Sequence, residues 1–290
     1  MSITVRAVRA TMNAVSVVAP ALAGRLAFEV WRRPLVRGRV RTAERAIHDA
    51  ARIEVVDGIV TYAWGDGRRP VLLVHGWRSR ASRYAAFGAR LLELGYSPIS
   101  YDAPGHGDTA GPAGTILDHQ RIIRQLAEKY GTFEGVIAHS LGVPFALYAV
   151  REGVAAGRVV TISGVCEFEY LVDAFCKELR LRPEVNQALR RAIEQGLFQG
   201  DRDIWAKFSA TRPAEAELLV VHNDLDEVVD PAQAARLVTA YGERARLLQT
   251  TGLGHHRILS DPTVIEQATA FLTGKVSPPP NTVPQMSRKV

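Results

Sequence analysis

Residues 135–142 read Gly135-Val136-Ile137-Ala138-His139-Ser140-Leu141-Gly142, a short apolar run that passes directly into a helical pattern with a serine at the junction. A strand that turns sharply into a helix strains its apex residue and leaves no room for bulk two positions to either side. Gly142 meets that demand, and Ala138 meets it with one methyl more than the usual glycine. At such an apex the Ser140 hydroxyl is a nucleophile, and the helix start turns free N–H groups and a positive dipole end toward developing negative charge. The competing reading is a serine that merely caps a helix. A second segment, Val71-Leu72-Leu73-Val74-His75-Gly76-Trp77, is a buried-strand pattern ending in His-Gly. Gly76 lets the backbone turn so that the N–H of Trp77 can face a reacting carbonyl. With the N–H of Leu141 this makes a two-donor oxyanion hole, in which one donor is worth roughly 3–4 kcal/mol of barrier. The chemistry implied is attack on an acyl carbon, with His75 read as structural.

Those residues need a rigid frame. Short apolar runs at 53–56, 59–64, 71–74, 98–101, 135–138, 159–162, 218–222 and 244–248 read as strands, the first two joined by the turn Asp57-Gly58. Helical spacing covers 85–94, 116–129, 141–151, 231–241 and 261–273. Strands and helices in alternation predict an α/β fold, a mostly parallel sheet with helices on both faces. The alternation breaks after residue 164, where 168–179 and 183–197 are helical with no strand between them. The organisation read from this is a basic helical segment over 1–52, a core over 53–164 and 214–275, a small inserted helical cap over 165–213, and a disordered tail over 276–290 containing Pro278-Pro279-Pro280.

The net charge of +6 is local: residues 1–52 hold ten arginines against three acidic side chains, so the rest of the chain is near neutral. No basic stripe with interleaved aromatics follows, and no nucleic-acid partner is expected. Within the basic segment, Arg6 and Arg9 precede a mildly apolar stretch ending in Ala21-Leu22-Ala23. It reads as a helix packed on the body or lying on a membrane surface through residues 1–45, with a cleaved signal and an anchor as the other readings. A cytoplasmic location is the plainest reading, with membrane association or export as alternatives. Two cysteines, Cys166 and Cys176, give no disulfide framework; Lys177 beside Cys176 is a weak hint of a reactive thiol.

His75-Gly76, then Tyr101-Asp102-Ala103-Pro104-Gly105-His106-Gly107-Asp108, then Ala138-His139-Ser140-Leu141-Gly142, in that order, resemble the α/β-hydrolase superfamily over most of the chain. The resemblance implies an acid on the loop after the next-to-last strand and a histidine on the loop after the last. Asp226, in Asn223-Asp224-Leu225-Asp226, stands at the acid's place with Asp224 as runner-up. His255 stands at the histidine's place with His256 as runner-up. Serine, acid, histidine is that family's chain order. His106 and Asp102 are read as shaping the glycine-rich loop, and His48 and His119 as surface residues. His222, Asp224, His255 and His256 fit no metal-ligand register, so no metal and no cofactor is expected.

The function expected is hydrolysis of a carboxylic ester, or a related acyl bond, by a serine hydrolase through an acyl-enzyme, on a small-molecule acyl substrate. An acyltransferase or cofactor-free peroxidase on the same triad, and a non-catalytic binding protein of the same fold, are the alternatives. The cap aromatics Phe168, Tyr170, Phe175, Phe198, Trp205 and Phe208 are read as its own core, with one or two free to line an acyl pocket.

Overall fold

Alternate side chains of the apolar runs bury on opposite faces of one sheet. Leu72 and Val74 enter one core cluster and Val71 and Leu73 the other, as a two-residue period requires. The computed structural model describes residues 3–274, so the tail expected over 276–290 lies outside the described residues. Its strands are β1 (Arg52–Val56), β2 (Ile59–Ala63), β3 (Pro70–Val74), β4 (Ser97–Tyr101), β5 (Gly135–His139), β6 (Arg158–Ile162), β7 (Glu217–Asn223) and β8 (Ala245–Thr250). They form one sheet in the order β1-β2-β4-β3-β5-β6-β7-β8. β1 and β2 pair antiparallel, as do β2 and β4, and every other pair is parallel. Asp57 and Gly58 both take positive φ, 48° and 78°, in the β1–β2 turn; that is the twist a two-residue hairpin favours.

The helices are α1 (Ile3–Val18), α2 (Pro20–Trp31), α3 (Arg45–Asp49), α4 (Ala85–Glu93), α5 (Ile116–Tyr130), α6 (Gly142–Arg151), α7 (Phe168–Glu178), α8 (Pro183–Phe198), α9 (Ile204–Lys207), α10 (Ala232–Tyr241), α11 (Gly254–Arg257) and α12 (Pro262–Thr273). On one face of the sheet α5, α6 and α10 bury Ile122, Leu126, Leu147 and Leu237. On the other, α4 and α12 bury Phe87, Leu91, Ile265 and Phe271. α5 starts where Thr115 and Asp118 cap one another's backbone N–H groups, which satisfies donors that a helix start leaves free.

Between β6 and β7 the chain makes α7, α8 and α9 and no strand. These share an apolar cluster with the N-terminal helices: Met12, Ala23, Ala27 and Phe28 pack with Val172, Val185, Leu189 and Phe208. Small residues set the closeness of the α2–α8 crossing, since a Cβ built on Gly24 would sit 2.5 Å from the Ala188 carbonyl carbon. Asn13 ties α1 to the α7–α8 turn, donating to the Arg180 carbonyl and accepting from the Arg182 N–H. The aromatics Phe168, Phe198, Trp205 and Phe208 pack edge-on or tilted against one another with centroids 4.9–6.4 Å apart. No described helix is long and apolar enough to cross a membrane.

Candidate active site

β5 delivers Ser140 to the C-terminal end of the parallel strands and α6 leaves from Gly142, so the chain must reverse within two residues. Ser140 takes φ 55°, left-handed space that costs a non-glycine residue energy. Its own backbone secures the strain: its N–H donates to the Ile162 carbonyl, and its carbonyl accepts from Val143 and Val165. The glycines are there because nothing larger fits. A Cβ on Gly142 would lie 2.3 Å from the Val74 carbonyl oxygen, and one on Gly76 would lie 2.8 Å from the Ser140 Cβ and 3.3 Å from the Leu141 nitrogen. Ala138 is fully buried in β5, its methyl accommodated in the core.

The loops after β7 and β8 bring the other two side chains to the serine. His255 Nε2 lies 3.0 Å from Ser140 Oγ, and His255 Nδ1 lies 2.9 Å from Asp226 Oδ2. The second carboxylate oxygen of Asp226 accepts from the N–H groups of Val228 and Val229 at 2.9 and 3.0 Å. Burial by itself would raise the Asp226 pKa. The hydrogen bonds from His255 and from the Val229 and Val228 backbone outweigh it and hold the carboxyl below the usual carboxylate range. The group is therefore an anion at neutral pH. All three side chains are at least nine-tenths buried, Ser140 and Asp226 being 8% exposed and His255 7%. The runners-up stand elsewhere: Asp224 accepts from Thr251 Oγ1, and His256 is exposed beside His255.

Around the expected oxyanion hole, neither the Trp77 nor the Leu141 N–H has a hydrogen-bond acceptor among the described residues. His75 fixes the turn between them. Its Nδ1–H donates to the Gly76 carbonyl and its Nε2 accepts from the Ala103 N–H, while burial pushes its pKa down to about 4. Asp102, wholly buried, accepts from Arg80, Tyr62 and the backbone of Ala81 and Asp108. That network leaves no room for a side chain at Gly107, where a Cβ would meet Asp102 Oδ2 at 2.0 Å. The ring of His106 sits edge-on to Trp77, with centroids 5.0 Å apart. Between Trp77, His106, His119, Leu141 and Phe145 lies a cavity of about 10 Å³, the size of one water. A larger cavity of about 440 Å³, beside Cys176 and Arg180, is open and is lined by none of the three site residues.

Two readings of the sequence are corrected. His119 is not on the surface: it is 3% exposed, stacks on Phe145 at 3.8 Å and hydrogen-bonds Tyr101. Its polar neighbours in α5 hid the fact that it falls on the helix's buried face. Lys177 does not activate Cys176: the thiol is buried, and burial pushes its pKa up to about 11 and that of Cys166 to about 12; both are free. Sequence reasoning also passed over residues that hold the site in place. Asn223 accepts from the Leu253 N–H and so positions the loop before His255. Tyr170 of α7 accepts from the Asp230 N–H on the acid loop. His139 donates from Nε2 to the His255 carbonyl at 2.9 Å, and burial takes its pKa down to about 3. Among these, the position of His139 next to Ser140 was the one available signal. His222, Asp224, His255 and His256 do not converge as a ligand set. His139, His255 and His256 do, each offering one ring nitrogen within 4.8 Å of the others.

A family model described as the alpha/beta hydrolase family matches residues 71–268. No curated protein matches the chain. Among solved structures, an esterase from Pyrococcus furiosus is 20% identical, with TM-score 0.58, over 82% of this chain and 97% of that one. A membrane phospholipase A, a bacterial virulence factor, is 19% identical with TM-score 0.60, over 81% of this chain and 89% of that one. A meta-cleavage product hydrolase from Pseudomonas fluorescens is 18% identical with TM-score 0.54, over 78% of this chain and 98% of that one. At these identities the likeness is one of fold.

Proposed function

The chain belongs to the alpha/beta hydrolase family, and from that premise we propose that it is a serine hydrolase that cleaves carboxylic esters through an acyl-enzyme on Ser140. The observation that carries this reading is the relay Asp226–His255–Ser140, with contacts of 2.9 and 3.0 Å. His255 Nε2 accepts the Ser140 proton as Oγ attacks the acyl carbon, and Asp226 holds the proton on Nδ1 and stabilises the imidazolium. The N–H groups of Trp77 and Leu141 take the oxyanion. His255 then returns the proton to the departing alcohol, and water repeats the sequence to release the acid. His75, Gly76, Ala138 and Gly142 support this geometry.

A small or medium acyl chain suits the reading best. The cavity beside the expected oxyanion hole is water-sized, so any acyl group entering it requires Trp77, His106 or Phe145 to move, and by more as the chain lengthens. The helices α7–α9, within 165–213, act in this reading as a cap, with α1 and α2 packed against them. Contact with an anionic membrane surface through residues 1–45 is supported by the corner between α1 and α2. Val17, Val18 and Leu22 are exposed there, residues 10–24 carry no charge, and Arg25 follows.

Labelling with a fluorophosphonate probe, followed by p-nitrophenyl esters of increasing chain length, tests the proposal. Labelling is expected in the intact chain, absent in Ser140→Ala, and lowered by orders of magnitude in His255→Ala. Full labelling of Ser140→Ala overturns the assignment of the nucleophile. Product yields with water, an alcohol or peroxide as acceptor separate hydrolysis from acyl transfer and from perhydrolysis.

A further inference from the structure

Three imidazoles crowd one side of the nucleophile turn, and the relay needs only one of them. We propose that His139, His255 and His256 form an inhibitory site for a transition-metal cation of the Zn²⁺ type, whose binding withdraws His255 from Ser140. One ring nitrogen of each lies within 4.8 Å of one from each of the other two. A tetrahedral zinc with Zn–N near 2.05 Å sets its ligand nitrogens roughly 3.3 Å apart, so the gap to close is about 1.5 Å at most. His256 is the exposed member of the three and gives the ion a way in.

The hydrogen bonds already in place make two of these rings ready donors. A carbonyl oxygen can only accept, so His139 Nε2 carries the hydrogen in its contact with the His255 carbonyl. Its Nδ1 therefore keeps a lone pair, and that atom is buried without a partner. In His255 the Nδ1 hydrogen points to Asp226, which leaves the Nε2 lone pair facing Ser140. Carboxylate-to-histidine and carbonyl-to-histidine contacts of this kind fix the tautomer and raise the basicity of metal-bound imidazoles. The same bond that suits His255 to take a proton thus suits it to bind a cation. On binding, the ion accepts lone pairs from neutral rings, no proton or electron leaves the protein, and the hydrogen bond from Ser140 Oγ to Nε2 is the bond broken. Imidazole donors favour zinc, copper and nickel over magnesium and calcium. The inhibitory half of the proposal rests on the serine-hydrolase reading, and the binding half does not.

The test uses the full chain, ZnCl₂ in a non-chelating buffer, and two independent readouts. Calorimetry follows binding; fluorophosphonate labelling and p-nitrophenyl acetate hydrolysis follow the site. Zinc is expected to bind one to one, slow both reactions at least about tenfold, and be reversed by EDTA, with MgCl₂ inert. His256→Ala should keep the zinc-free rates and need about tenfold more zinc or higher. His139→Gln, which retains an N–H for the His255 carbonyl but lacks the Nδ1 lone pair, should weaken zinc binding likewise. Absence of binding, or equal zinc sensitivity in the intact chain and His256→Ala, overturns the proposal. A chain that neither labels nor hydrolyses esters without zinc overturns the serine-hydrolase reading and the inhibition, while calorimetry on the same variants still decides the binding site.

Discussion

Replacing Asp226 with asparagine tests the relay most sharply, because the surroundings dictate how the amide must sit. One carboxylate oxygen faces two backbone donors, the N–H groups of Val228 and Val229, and the other faces His255 Nδ1. An asparagine must turn its carbonyl oxygen toward the two donors, since its NH₂ there would meet hydrogen with hydrogen. The NH₂ then faces His255 and makes Nδ1 the acceptor. The ring proton is forced onto Nε2, which can no longer take the proton from Ser140. Reversal of the tautomer in a serine–histidine–aspartate relay costs about 10⁴ in kcat, roughly 5.4 kcal/mol of barrier. The two backbone hydrogen bonds survive, so thermal stability should change little. The assay is kcat/KM on p-nitrophenyl acetate, with fluorophosphonate labelling rates as a substrate-independent check. Asp224→Asn is the control and should stay within about twofold, because Asp224 bonds Thr251 instead. Activity of Asp226→Asn within tenfold of the intact chain, with the fold unchanged, refutes the argument.

Stability should fall most steeply as pH drops from about 6.5 to 4. Burial holds His75 near 4 and His139 near 3, so the unfolded chain binds protons in that window that the native chain refuses. Each imidazole then contributes a loss of up to about 1.4 kcal/mol per pH unit; flat thermal midpoints from pH 7 to 5 would contradict this. Gly142→Ala should destabilise the fold by about 3 kcal/mol in urea denaturation, since its Cβ meets the rigid Val74 carbonyl at 2.3 Å; a loss under 1 kcal/mol would show that the turn has slack. Sedimentation with vesicles should show binding to anionic and little to zwitterionic lipid, reduced by Val18→Glu. Equal sedimentation of the variant would remove the α1–α2 corner from any membrane role.

Much of this architecture could be read from the chain because its local and global signals agree. The runs at 71–74 and 135–138 are apolar on both faces, as central parallel strands must be, and each occupies its expected place within a residue. The order of the strands in space was not legible, since the hairpin β1–β2 joins the sheet through β4 and not β3. That depends on pairings between segments far apart in the chain. The residues brought to Ser140 had been found through motif and resemblance; those that anchor them were not. Asn223, Tyr170 and His139 act through contacts with loops 30 to 116 residues away, for which a single sequence carries no spacing rule. His119 shows the opposite failure, a polar residue whose helix face decides its burial.

The crossing of Gly24 on Ala188 also has a consequence for synthesis. The first two helices leave the ribosome about 160 residues ahead of the surface that covers Ala23, Ala27 and Phe28. At 5–20 residues per second, that interval lasts on the order of ten to thirty seconds. During it the nascent chain carries an uncovered apolar face, the kind of transient surface that favours aggregation until the partner helices arrive.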